Sequence, residues 1–416
     1  MNDLLSRLLL TALCVLTPLA WATPALADNN TQGAMIPAAP KLGAKGWILI
    51  DAATGTVITS HNSDTRLPPA SLTKMMTAFV TTREIKAGRM KGDDTVTVSE
   101  NAWRTGGSRM FLDPGSSVSV HDLLSGVIID SGNDASVALA EHIAGSEGAF
   151  VAMMNSTATA LGMANTHFMN STGLPEPEHY SSARDMATLA RAIISEGADS
   201  YALYAKKHFT WNGIRQSNRN LLLWRDASSD GLKTGHTDAA GYCLVASSHR
   251  NGRRLISVIF GASSTQKRTA ETEKLIGYGF RFYDTQTYKK AGEILTRSPL
   301  WKGKNRSIAL GLLDDMTLTL PKNKNRELET RMQIDGPLEA PIAIGTVVGT
   351  LELYDAGHKL GSRPLIALED VETGSWWKYW WDTTHLFFTQ LIRGWFDETA
   401  PTLQSPQNTV TASTND

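Results

Sequence analysis

Two cysteines in 416 residues leave no room for a disulfide-held scaffold or a Cys-rich zinc module. Excess charge is missing too. With 40 Lys+Arg against 41 Asp+Glu, the chain has no bulk field to draw it to nucleic acid, and DNA and RNA are excluded as partners on this ground. Beyond the N-terminus no uninterrupted apolar run approaches the ~20 residues needed to span a bilayer, which excludes a polytopic membrane protein. Internal repeats are lacking, and so is a phosphate-cradling loop, because Gly106-Gly107 has no strand-to-helix context. His61, His121, His142 and His167 are scattered, without metal-ligand spacing, so neither a metal nor another cofactor is expected. What is present is length for two or three domains and 42% hydrophobic residues, enough for a substantial core.

The two ends differ from this average. Arg7, the apolar-leaning run Leu8–Leu16 and the small-residue site Ala25-Leu26-Ala27 predict a secretory signal over residues 1–27. Its removal takes Cys14 with it, so the mature chain keeps Cys243 alone, expected as buried strand packing, and forms no internal disulfide. At the other end, five of the 11 tryptophans fall in residues 376–395. At 100° per residue, Trp377, Trp380, Trp381, Phe388, Leu391, Ile392 and Trp395 share one arc, and Lys378, Asp382, His385, Thr389 and Arg393 share another. This pattern predicts an amphipathic anchor helix over 375–397, lying in the plane of a membrane surface where indole rings settle; a helix packed on a core is the alternative. A polar, disordered tail is expected over 399–416.

Between the ends, residues 45–61 alternate as a hairpin, with a turn at Thr54-Gly55. Pro68-Pro69 closes off the strand and a helix opens over Ser71–Val80. His121–Ile143 reads as two helical segments broken at Ser131-Gly132-Asn133. Tyr242–Ser247 and Leu255–Phe260 read as strands joined by a turn at Asn251-Gly252. Strands first, helices in the middle and strands again predict one antiparallel sheet built from both ends of a domain, with the helical middle packed on it. From about residue 290 helical periodicity disappears. Short runs at Ser307–Leu312, Met316–Leu320, Glu327–Ile334, Val347–Tyr354 and Pro364–Ala367 predict a small all-β domain.

Three short motifs occur in order: Ser71-Leu72-Thr73-Lys74, Ser131-Gly132-Asn133 and Lys233-Thr234-Gly235. An S-x-x-K alone arises by chance about once or twice in such a chain. Context gives it weight. Ser71 falls in the first turn of a predicted helix and Lys74 one turn later, so the two side chains meet, and the helix start supplies free N–H groups. The second motif lies in a helix break, where Gly132 is expected to allow a sharp turn presenting Ser131 and Asn133 to one cavity. The third leads into the returning strands, where Gly235 is expected to admit a substrate backbone to the sheet edge.

With these motifs the chain resembles the D-alanyl-D-alanine carboxypeptidases, the low-molecular-mass penicillin-binding proteins of the serine peptidoglycan hydrolases. Similar blocks surround the triplets: Pro69–Thr77, Asp130–Ala135, Tyr180–Asp185 and Gly231–Thr237, with Asn218-Arg219-Asn220 and Gly279–Tyr283. The resemblance covers roughly residues 40–396. It implies an α+β fold of the penicillin-binding protein/β-lactamase type: an antiparallel sheet with helices packed on it and an all-helical middle lobe over 40–285, a small β-rich domain over 290–370, and the C-terminal amphipathic helix.

The resemblance also implies the chemistry. Ser71 would be the nucleophile, Lys74 its base once its pKa is depressed by burial and by cations such as Lys233, and Ser131 a proton relay. Asn133 would bond the substrate peptide and help hold Lys74. Thr234, Arg268 and Lys233 would bind the terminal carboxylate, with Gly235 beside them; Arg268 has the alternative of an ordinary surface arginine. The N–H groups of Ser71 and His236 would form the oxyanion hole. The expected partners are peptidoglycan stem pentapeptides, β-lactam antibiotics as inhibitors, and the membrane surface at the periplasmic face of the inner membrane, with roles in wall remodelling and cell shape.

Two other readings compete. A serine β-lactamase shares Ser-x-x-Lys and Lys-Thr-Gly, but Gly132 stands where it usually has Asp, and Glu176 and Glu178 lack the following Leu-Asn of its deacylating loop. A non-catalytic wall-binding scaffold would have no need of three intact triplets.

Overall fold

The computed structural model describes residues 36–384 apart from 197, 323–325, 327 and 378. The expected leader over 1–27, the anchor beyond residue 384 and the tail over 399–416 lie outside the described residues.

Strands β1 (Gly46–Asp51) and β2 (Val57–His61) form the expected hairpin, with Gly55 at φ +71°. A 3₁₀ turn (Ala70–Thr73) leads into α1 (Lys74–Lys86). The middle of the chain holds α2 (Glu100–Arg104) between the short paired strands β3 (Thr95–Thr97) and β4 (Ser117–Ser119). It continues through α3 (Val120–Ser125), a π-helical turn (Gly126–Asp130), α4 (Asn133–Ala144), α5 (Glu147–Ala160), α6 (Ala183–Glu196) and α7 (Ala198–Tyr201). A small hairpin, β5 (His208–Trp211) and β6 (Ile214–Ser217), precedes α8 (Leu222–Arg225), so the largely helical middle carries a hairpin and the pair β3–β4 among its helices. The chain then returns through β7 (Ser229–Thr237), β8 (Gly241–Arg250) and β9 (Arg253–Ala262) to α9 (Thr265–Phe282).

The main sheet is antiparallel in the order β2-β1-β9-β8-β7, so the two ends of the domain do meet in one sheet, with β7 on its edge. Every residue of β1 is buried, because both faces of the sheet are covered. Ile48 and Ile50 join the core of Met75, Phe79 and the middle helices, while Trp47 and Leu49 join Leu275 and Ile276 of α9 on the other face. The β8–β9 turn falls at Asn251-Gly252, both at positive φ as a tight hairpin requires.

The remaining strands are β10 (Tyr283–Lys289), β11 (Thr296–Trp301), β12 (Ser307–Leu312), β13 (Met316–Pro321), β14 (Leu328–Ile334), β15 (Leu338–Glu339), β16 (Val347–Asp355) and β17 (His358–Ala367). They form a six-stranded sheet, β14-β16-β17-β12-β11-β15, and the pair β10-β13, around a separate core that includes Ile308, Leu310, Leu351 and Leu365. The polar strand β10 carries no hydrophobic alternation, and a sequence reading passes over it. Hydroxyls hold it: Thr285 Oγ1 donates to Asp51 Oδ2 at 2.6 Å and lies 2.9 Å from Thr319 Oγ1, which lies 2.7 Å from Thr54 Oγ1. Asp51, fully buried and paired with Arg253 Nε at 3.0 Å, thus pins the β domain to the turn after β1.

No helix among the described residues is long and apolar enough to cross a membrane. Trp376, Trp377, Trp380 and Trp381 are 62–74% exposed.

Candidate active site

Ser71 sits in the 3₁₀ turn rather than in the α-helix proper. In a 3₁₀ turn side chains at i and i+3 eclipse, which aligns Ser71 with Lys74. Lys74 Nζ lies 3.2 Å from Ser71 Oγ and is 2.6 Å from both Asn133 Oδ1 and the Thr172 carbonyl. The lysine is 1% exposed, and burial lowers its pKa to about 7, with Arg219 pressing the same way and Asp134 opposing. A neutral amine has two N–H groups and one lone pair. The two carbonyl acceptors take the N–H groups, which leaves the lone pair directed to the Ser71 hydroxyl. Buried His179 does not compete as a base, since it spends Nε2 on Thr73 Oγ1 at 2.8 Å and receives the Met169 N–H at Nδ1.

The second motif enters from the break before α4. The left-handed residue there is Ser131 (φ 62°, ψ 34°), not the glycine. Its strain of ~1–2 kcal/mol is offset by the N–H groups of Ser131 and Gly132, both bonded to the Gly126 carbonyl. Gly132 has an ordinary negative φ and is needed for space: a Cβ would stand 2.8 Å from Asp134 Oδ1 and 3.0 Å from Met110 N. Asn133 turns its Oδ1 to Lys74 and its Nδ2 to the Gly106 carbonyl at 2.6 Å, so a substrate can reach only its second N–H.

The third motif lies on edge strand β7. Lys233, 3% exposed, donates to Ser131 Oγ at 2.9 Å and to the Thr234 carbonyl at 3.1 Å. Burial lowers its pKa well below the usual lysine range, and Lys74, Arg219 and Arg268 add to this while Asp130 opposes. Gly235 has a different reason from the expected one. A Cβ there would lie 2.9 Å from the Pro69 carbonyl and 3.2 Å from Ser71 N, so it is the turn carrying Ser71, not a substrate backbone, that requires glycine. Gly173 closes the turn from another side, where a Cβ would overlap the Ala70 carbonyl. Gly235→Ala is expected to displace this turn and slow covalent labelling of Ser71 by an acyl donor about 100-fold, the scale of ångström misplacement at a reacting atom. Stopped-time labelling beside a melting curve checks it, and an unchanged rate at unchanged stability would contradict it.

Arg268 is no surface arginine. It is 5% exposed, and its guanidinium reaches the carbonyls of Gly235, Cys243 and Arg219 at 3.3–3.4 Å without a carboxylate partner in these contacts. Burial lowers its pKa to about 10. Thr234 is 5% exposed beside it, whereas His236 is exposed and stacked on Tyr242, with centroids 4.1 Å apart. Cys243 is buried opposite Gly235, and burial raises its thiol pKa to about 11.

Several contributors escape a motif search. Gly106-Gly107, which lacks the context of a phosphate loop, cradles Asn133 instead; Gly107, at φ +84°, has no room for a Cβ. Thr172 acts through a carbonyl, shaped by Asn170 Oδ1 accepting from Thr172 and Gly173; the turn-forming run Asn170–Gly173 is its only sequence signal. Arg219, exposed and bonded to Ser108 Oγ at 2.7 Å, adds positive charge near both lysines. Among the described residues no three His, Cys, Asp or Glu side chains converge as a metal site. The assembly is a hydroxyl with an adjacent buried amine base, a second hydroxyl bonded to a second amine, and a guanidinium beside them, a set suited to acyl transfer from a substrate that carries a carboxylate.

Residues 33–264 match the D-alanyl-D-alanine carboxypeptidase family, and residues 283–373 match the penicillin-binding protein 5 C-terminal domain. The chain is 42% identical over 385 residues to the D-alanyl-D-alanine carboxypeptidase DacA of Escherichia coli K12, covering 90% of this chain and 96% of that one. It is 43% identical over 366 residues to DacC of the same organism, covering 86% and 92%. Among solved structures, penicillin-binding protein 5 of Haemophilus influenzae superposes with a TM-score of 0.77 at 41% identity, over 80% of this chain and 99% of that one.

Proposed function

The chain belongs to the D-alanyl-D-alanine carboxypeptidase family, and from that premise we propose that it removes the terminal D-alanine of peptidoglycan pentapeptides through an acyl-enzyme on Ser71. The observation that carries this reading is the geometry of Lys74, whose two N–H groups are spent on Asn133 and Thr172 while its third position faces Ser71 Oγ.

Lys74 takes the Ser71 proton as Oγ attacks the carbonyl of the penultimate D-alanine. The oxyanion falls to the N–H groups of Ser71 and His236; the closeness of Gly235 to Ser71 N supports this pairing. The C–N bond breaks, and the proton held by Lys74 is delivered to the leaving amine through the Ser131 hydroxyl, which Lys233 orients by a hydrogen bond; Lys74 is neutral again. Water then attacks the ester, the restored neutral Lys74 accepting its proton; that proton passes to Ser71 Oγ as the ester C–O bond breaks, and the shortened peptide leaves. Thr234, Arg268 and Lys233 bind the terminal carboxylate, which makes the free C-terminus the specificity handle. A β-lactam carries an acyl group and a carboxylate at a like spacing and acylates Ser71 as an inhibitor. The leader expected over 1–27 and the exposed Trp376, Trp377, Trp380 and Trp381 support an exported enzyme held at the membrane surface, working on wall peptides that bear on cell shape.

Incubation with a stem pentapeptide, followed by mass spectrometry, is expected to show loss of one alanine and no further shortening. Labelled penicillin should give a burst of adduct that then stalls. Steady nitrocefin turnover with an intact peptide would identify a β-lactamase, and no reaction with either would favour a wall-binding scaffold.

A further inference from the structure

Asp130 closes the π-helical turn immediately before Ser131, and the steps of acyl transfer given above make no use of it. It is 2% exposed, and its Oδ1 is buried without a hydrogen-bond partner. A dry, unpaired carboxylate oxygen is costly to keep unless its charge is used. The neighbouring Asp134 shows the structural alternative, its oxygens accepting from the N–H groups of Met110, Phe111, Leu112 and Ala135 at 2.8–3.2 Å. Asp130 Oδ1 has no such framework.

Its surroundings are charged. Arg219, between β6 and α8, and Lys233, on β7, act on it as cations, and Asp134, on α4, acts as an anion. Lys233 in turn is buried and gives N–H groups to two uncharged acceptors, Ser131 Oγ and the Thr234 carbonyl. Arg219, Arg268 and, when it carries its proton, Lys74 act against the Lys233 proton, and the opposing negative charge is that of Asp130.

We propose that Asp130 is a positioning residue for this active site: a through-space counterion that keeps Lys233 protonated, and so keeps the Ser131 hydroxyl oriented and the carboxylate pocket cationic. The proposal stands on the buried, unpaired Oδ1 of Asp130 one residue before Ser131, whose Oγ accepts from Lys233 Nζ at 2.9 Å, and its effect on turnover rests on the carboxypeptidase reading. Burial raises the Asp130 pKa to about 7, against Arg219 and with Asp134, so the counter-charge forms as pH climbs through neutrality. Below that range Asp130 is neutral; above it the carboxylate resists loss of the Lys233 proton.

The test is Asp130→Asn, which keeps size and removes charge, with Asp130→Glu as the charge-restoring control. In the full chain labelled with ¹³C at lysine ε-carbons, and with the Lys233 resonance assigned by Lys233→Arg, the Asn variant is expected to titrate Lys233 about one pH unit lower than wild type, and the Glu variant to recover most of the difference. The variant-to-wild-type ratio of kcat/KM on a D-Ala-D-Ala peptide should fall about tenfold between about pH 6 and about pH 9. An unmoved Lys233 titration, or a ratio constant across pH, overturns the proposal; a purely packing role gives the latter. If the wild type releases no D-alanine, the carboxypeptidase reading fails, and the Lys233 titration alone decides the role of Asp130.

Discussion

Ser71→Ala is expected to abolish both D-alanine release and covalent uptake of labelled penicillin, a fall of about 10⁴-fold or more, because no other hydroxyl can take over the acyl group. Ser131 Oγ already accepts from Lys233, and Lys74 Nζ is committed to Ser71, Asn133 and Thr172. The folded state should survive, since Ser71 is half-buried and its Oγ is bonded to Lys74, whose other two partners remain. Mass spectrometry of the penicillin-treated protein separates the outcomes. A persistent adduct on the variant would place the nucleophile elsewhere and remove the basis of the proposed chemistry.

Lys74→Arg is expected to cost about 10³–10⁴-fold in acylation, near the upper limit for a general base, because guanidinium keeps its proton at any working pH. In the wild type the sign follows from burial. Taking the ammonium out of water disfavours its charged form, and Arg219 adds repulsion, so Lys74 loses its proton at about 7. Below that value the amine has no lone pair for the Ser71 proton; above it the base is free. The acylation rate should therefore rise with pH through a midpoint at about 7, which labelled penicillin in pre-steady state reads directly. A flat profile between acid and neutral pH would mean that another group takes the proton.

Much of the frame was legible in the amino-acid order because it rests on local rules. The hairpins at Thr54-Gly55 and Asn251-Gly252, the break at Ser131–Asn133 and the alternating strands of the β domain all follow from turn residues and apolar periodicity. Strand β10 was not legible, because its partners are the hydroxyls and carboxylate of Thr319 and Asp51, which no periodicity announces. The helix breaks at Ser131-Gly132-Asn133 as its residues predict, but the sharp turn expected of Gly132 is made by Ser131, the residue in the left-handed region. Which residue carries positive φ and which merely needs space depends on what packs against it, here Met110 and Asp134.

By itself, then, the order of residues determined which side chains are available for acyl transfer: a hydroxyl with an amine three residues on, a second hydroxyl in a helix break, and a lysine heading an edge strand. Their chemical identities and short spacings are properties of the chain. The tertiary structure alone decided how they are tuned. It removed Lys74, Lys233, Arg268 and Asp130 from water and set against Lys74 the Asn133 side-chain oxygen at the start of α4 and the Thr172 carbonyl, both far away in the chain. It also brought Gly235 close enough to Ser71 to leave no room for a side chain against the turn that carries it. Burial and long-range charge set the proton affinities on which the proposed reaction depends, and both are sums over neighbours that are far apart in the chain and meet only when it folds.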